Sequence, residues 1–92
     1  MMQTRTVQLQ LPISVEGKDV TELTLHEPLL GDMENVEMNQ HGAPTNKGLI
    51  ELVASLANIP PSSAKKIAMR DMEEIGRLIA DFTESSPATG SG

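Results

Sequence analysis

The clearest pattern near the start of the chain is a two-residue alternation. Val7, Leu9, Leu11, Ile13 and Val15 are apolar, while Thr6, Gln8, Gln10 and Ser14 between them are polar and Pro12 holds the remaining alternate position. A strand sends successive side chains to opposite faces, so this pattern predicts a strand with one buried face. Pro12 has no N–H to give to a ladder, which predicts an edge strand or an irregularity there. Glu16-Gly17-Lys18-Asp19 reads as a tight turn, with Gly17 supplying positive φ at little cost. In the following segment Leu23 and Leu25 share a face with Thr21 while Val20 is out of phase, and a bulge near Val20 would restore parity. The expectation is an antiparallel hairpin over about residues 6–15 and 18–25. A lone hairpin is marginal in water, so helices must cover its apolar face.

Helical periodicity takes over after Glu27-Pro28. Gly31-Asp32 reads as a helix start with Asp32 as N-cap, and Met33, Val36, Glu37 and Met38 continue it for about two turns. Residues 39–46 form a polar loop with Gly and Pro punctuation, the best candidate for a mobile internal segment. Thr45 or Asn46 can cap the next helix, whose stripe of Leu49, Ile50, Leu52, Val53, Leu56 and Ala57 is the strongest in the chain. Asn58-Ile59-Pro60-Pro61 stops it, and residues 62–67 make a short helical turn with Pro61 near its first position. A final helix over about residues 70–82 presents Met72, Ile75, Leu78, Ile79 and Phe82 on one face, and a close helix crossing would account for Gly76 inside it. The last residues, 85–92, are small and polar and are expected to form a flexible tail. The fold class predicted is α+β: an N-terminal antiparallel β-hairpin followed by a small bundle of three or four helices, one domain over residues 1–84 with the hairpin at about 6–26 and the helices at about 32–82. Leu9, Leu11, Leu25, Leu49, Leu52, Val53, Leu56, Ile75 and Leu78 are the expected core.

Composition narrows the class of function. Phe82 is the only aromatic residue among Phe, Tyr and Trp in 92 residues, so the core must be aliphatic, with six Met contributing. There is no Cys, which removes disulfides, thiolate metal sites and a Cys nucleophile. The formal net charge of -6 argues against nucleic acid, whose phosphates need clustered Lys and Arg. No apolar run approaches the ~20 residues that span a bilayer, and Met1-Met2-Gln3-Thr4-Arg5 carries no apolar targeting region. The expectation is a soluble cytoplasmic protein without membrane contact.

Candidate chemistry is sparse. His26 and His41 are the only histidines and share no ligand spacing, so no metal site is expected. Glu34 and Glu37, Glu73 and Glu74, and Asp71 and Asp81 fall on predicted polar helix faces, where carboxylates are ordinarily solvated. Asp71, Glu73 and Glu74 also suit the start of a helix through its dipole. Glycines form neither a dinucleotide-binding nor a phosphate-binding pattern. No catalytic residue, cofactor or metal is expected, and the chain reads as a binding protein rather than an enzyme. Met33, Met38, Met69 and Met72 stand out, because flexible, polarizable side chains suit adaptable contact with partner helices. Met72 also fits a core position. The candidate partner-binding residues are Met33, Val36, Met38 and Met69.

The order of these segments carries a resemblance. Val7 through Pro28 reads V-x-L-x-x-P-I-x-V-E-G-K-D-V-T-E-L-T-L-H-E-P, followed by Gly31-Asp32, an apolar helix, an I-P-P-S-S turn and an M-R-D-M helix start. Glu16-Gly17-Lys18, residues 20–25, the Glu27-Pro28 step and Arg70-Asp71 are its most specific parts. Over about residues 7–82 the chain resembles the small tail assembly chaperones of contractile-tailed phages, the group of Mu-like prophage proteins and P2-type E proteins. That resemblance implies a protein of the bacterial host cytoplasm that holds the tape measure protein until tail tube subunits polymerise around it, and that is absent from the mature virion. It also implies a second, longer product by frameshifting in many members. The tape measure protein is then the expected client, with the tail tube subunit and a second copy of the chain as further candidate partners. A structural or adaptor subunit retained in a phage tail or other assembly is the alternative reading.

Overall fold

Two strands and three helices, joined by a 3-10 turn, make up the computed structural model, which describes residues 3–84. The alternating segment is strand β1 (Thr4–Val15), paired antiparallel with β2 (Lys18–His26). Glu16 and Gly17, at φ 53° and 84°, turn the chain between them. Two successive positive φ values match the right-handed twist of the strands. A 3-10 turn (Leu30–Met33) follows, then α1 (Asn46–Ala57), α2 (Pro61–Ala64) and α3 (Met69–Glu84). This is the α+β order expected from the sequence. The expected tail at 85–92 lies outside the described residues.

The irregularity announced by Pro12 lies beside Val20, where parity called for a bulge, and its extra residues are in β1. Gln8 faces Glu22 and Ile13 faces Val20, so residues 9–12 of β1 lie opposite Thr21 alone. The extra chain carries Leu11 outward, leaving it 47% exposed, although simple alternation placed it in the core. Val7, Leu9, Ile13, Leu23 and Leu25 still reach the buried face. The opposite face of the sheet is polar, where Gln8 donates to Glu22 across the strands at 2.6 Å.

A bulge frees N–H groups from the ladder, and those turned toward the protein must find acceptors. Here Asp71 supplies both. Its carboxylate accepts from the Gln10 N–H at 2.9 Å and from the Leu11 N–H at 3.2 Å. Asp71 is 2% exposed, a correction to its reading as a solvated residue at a helix start. Ser63 makes a parallel attachment, its buried hydroxyl donating to the Ser14 carbonyl at 2.9 Å and tying α2 to β1.

The core is aliphatic, with Leu25, Val53, Leu56 and Ile75 almost fully enclosed and Phe82 at one end. Leu9, Leu25, Leu52, Val53, Leu56 and Ile75 are buried as expected, whereas Leu49 and Leu78 are partly buried at its margin. Val7, Ile13, Leu23, Val36 and Ile67 join the core beyond that expectation. The helices arrange themselves around the hairpin: α1 packs on β2 and α2, while α3 packs on β1.

The helix expected over 33–38 does not form. Asp32 is the third residue of the 3-10 turn, not an N-cap, and its carboxylate reaches back to the Leu29 N–H at 2.7 Å. Val36 then enters the core, and Met38 bridges to Pro44 in an extended conformation. Asn39 Oδ1 accepts from the N–H groups of His41 and Ala43, closing the loop that the sequence left open. Thr45 caps α1 by accepting from the Gly48 N–H at 3.1 Å, and Asn58, at φ 58°, ends it in the left-handed conformation.

Two predictions follow from this packing. Asp71→Ala should destabilise the fold by about 2–4 kcal/mol, because it orphans two part-buried donors and removes a charge-assisted anchor; urea unfolding would measure it, and a loss below ~0.5 kcal/mol would show that α3 docks by apolar contact alone. The glycines should behave oppositely. A methyl at Gly48 would overlap the Glu37 carbonyl, whereas Gly76 has open space around it and no close helix crossing. Gly48→Ala should therefore cost about 1–3 kcal/mol, and Gly76→Ala should raise stability by up to ~1 kcal/mol, read from the two melting curves.

Candidate functional site

The feature best suited to function is an apolar groove between α1, α2 and the start of α3. The α1 stripe supplies Asn46, Leu49, Ile50 and Val53, the segment around α2 supplies Ala64, Lys65 and Ile67, and α3 supplies Met69 and Met72. Its volume is about 220 Å³. That is below the roughly 300–1,000 Å³ of small-molecule pockets and above the ~150 Å³ of an apolar cavity that holds one benzene. The size therefore suits side chains presented by a larger partner. Met69 stands at its edge, 84% exposed.

A second apolar surface lies on the 3-10 turn. Leu30 is 90% exposed, and with Gly31, Met33 and Glu34 it lines a shallow depression. Leu29 beside it is also exposed. Exposed leucines on a turn need a rigid mount if they are to be displayed rather than collapse, and a polar knot provides one. The Asp32 carboxylate accepts from the Leu29 N–H and from the Ser55 hydroxyl of α1. The His26 ring, at the end of β2, lies with Nδ1 2.9 Å from the Glu27 carbonyl oxygen and Nε2 3.1 Å from that of Ser55. Its Nε2 is also 3.7 Å from Asp32. The strand end, the turn and α1 are thereby joined at one point.

The four candidate contact residues do not share one surface. Met69 lines the groove and Met33 lines the turn. Met38 is half exposed in the segment bridged to Pro44, and Val36 is buried in the core at 8% exposure. Leu29, Leu30, Leu49 and Ile50 were not among those candidates. The adjacent pair Leu29-Leu30, stranded between Pro28 and Gly31, was the local signal for the turn surface. The groove had no such signal, since its walls come from three separate segments. Among the described residues no cluster of three or more His, Asp and Glu forms a metal site, and no helix is long and apolar enough to cross a membrane.

The electrostatics of the knot predict an acid sensitivity. Burial acts to raise the Asp32 pKa, but the hydrogen bonds from Ser55 and Leu29 and the nearby His26 outweigh it, and the carboxyl is held below its ordinary value. A carboxyl whose folded pKa is lowered contributes stability in full above the unfolded value of about 3.9 and loses it as pH falls through the folded value. Asp32→Asn should cost about 1–3 kcal/mol near neutrality and should flatten the acid limb of the stability–pH curve, measured by denaturation from neutral pH downward. An unchanged acid limb would show that other carboxyls dominate it.

Residues 6–84 match the family model described as "Phage tail assembly chaperone proteins, E, or 41 or 14". No curated protein and no solved structure gives a significant match. The matched span runs from the first strand to the end of α3 and takes in the hairpin, the polar knot and the groove, and the chain belongs to the phage tail assembly chaperone family.

Proposed function

We propose that the chain binds the tape measure protein and keeps it soluble until the tail tube polymerises around it, acting in the host cytoplasm and leaving before the virion is complete. Family membership over residues 6–84 is the observation that carries this reading. The physical properties of the domain support it. A long helical client exposes apolar stripes that aggregate by the same burial that folds proteins. A small binder with exposed apolar side chains at Leu30, Met38 and Met69 can cover such stripes. Its net charge of -6 keeps the complex soluble through self-repulsion. Contact through a few flexible side chains gives weak, reversible binding at each point, which suits a client that must later be handed over.

Met33, Met38 and Met69 are the proposed contact residues, with Leu30 added. Val36 is better left intact in any test, because its side chain belongs to the core. Co-expression with a tape measure protein should raise the soluble fraction of that client. The combined Leu30→Ser, Met38→Ser and Met69→Ser variant should abolish the gain while circular dichroism shows an unchanged fold. No gain with the unaltered protein would sink the chaperone reading. Mass spectrometry of purified particles should find the chain missing, and its presence there would favour a retained structural subunit.

A further inference from the structure

The groove has a charge environment opposite to that of the molecule around it. The chain carries 13 acidic and 7 basic side chains. Yet Lys65 is the one charged residue lining the groove. Lys66 follows it, and Lys47 follows the lining residue Asn46; all three lysines are exposed. None of the three makes an ion pair among the described residues, whereas Arg5 reaches Asp81 and Arg77 pairs with Glu74. Glu51 on α1, next to the lining residue Ile50, lines a separate polar depression with Asp32. By the same adjacency the exposed Arg70 follows Met69 on the basic side, while Glu73 and Asp71 flank Met72 on the acidic side; Asp71 is buried and engaged by the Gln10 and Leu11 N–H groups, which leaves Glu73 as the exposed acid there.

We infer that this groove receives an acidic amphipathic segment of a protein partner, with apolar side chains entering between α1 and α3 and carboxylates resting on Lys47, Lys65 and Lys66. The inference rests on the chaperone reading for the existence of a client and adds the chemistry of the segment bound. The net negative charge of the domain would repel such a segment at long range. Screening confines that repulsion to about 8 Å at physiological salt, so at contact the local lysine rim decides. A second copy docking groove to groove would bring two lysine rims together, which disfavours that occupant.

The test uses two synthetic amphipathic helices with identical Leu positions, one bearing Glu and the other Lys on its polar face. Titrated against the full chain by fluorescence anisotropy, the Glu peptide should bind at least about tenfold tighter. Reversing the rim with Lys47→Glu, Lys65→Glu and Lys66→Glu should remove or invert that preference, and Met69→Ser should weaken both peptides. All four positions are exposed, and circular dichroism checks each variant. Equal binding of the two peptides, or a preference that survives rim reversal, overturns the inference. So does concentration-dependent self-association of the chain alone that the same substitutions abolish, which would make a second copy the occupant. Client solubility on co-expression separates the two readings. If the rim-reversed variant still protects the tape measure protein as well as the unaltered chain does, the groove assignment fails and the chaperone function stands. If neither protects it while the peptide preference holds, the groove assignment stands and the client is another protein.

Discussion

A buried carboxylate holds the two halves of this domain together. Asp71 accepts two N–H groups from the break in β1, at 2.9 and 3.2 Å, and it sits in the first turn of α3. A two-stranded sheet has too little surface to organise helices by burial alone. The bulge would also leave two part-buried donors without protein acceptors, at a cost of up to about 1–3 kcal/mol each. One side chain removes that cost and fixes where α3 lies against the hairpin. Pro12 belongs to the same device, because a residue without an N–H leaves one donor fewer to satisfy in the bulge.

The opposite end of the molecule is fastened on the same principle. Asp32, Ser55, His26 and the Leu29 backbone form a polar knot that joins the end of β2 to α1. The two anchors act on different strands, α1 leaning on β2 and α3 on β1. The groove is the space left where two helices tied to different strands do not close on each other. Its apolar walls, Ile50 and Val53 on one side and Met69 and Met72 on the other, follow from that geometry.

This construction suits a protein that works by contact. A chain of this size buries only about 60–65% of the surface its unfolded form exposes. A domain of this kind gains stability whenever a partner binds its folded form. Keeping Leu30 and Met69 exposed leaves apolar surface in water. Under the proposed function that cost becomes affinity for a client, and the net charge of -6 adds self-repulsion between copies.

The sequence by itself determined the elements whose rules are local. Alternation over residues 7–15, positive φ at Gly17, a cap at Thr45 or Asn46 and the stripe from Leu49 to Ala57 predicted the hairpin and α1 within a few residues. The order of those segments also carried the family resemblance. Tertiary structure alone decided what depends on partners distant in the chain. Gln10 and Asp71 are 61 residues apart, and no local rule places the carboxylate under the bulge rather than in water. The same applies to Gly48, which is needed because Glu37 passes over it, and to Gly76, which faces open space. Residues 33–38 had the composition of a helix, but burial of Val36 and the bridge from Met38 to Pro44 drew them out of it. Leu11 and Leu9 look alike in the pattern, yet one is exposed and the other buried, because the bulge between the strands resets which face each residue meets.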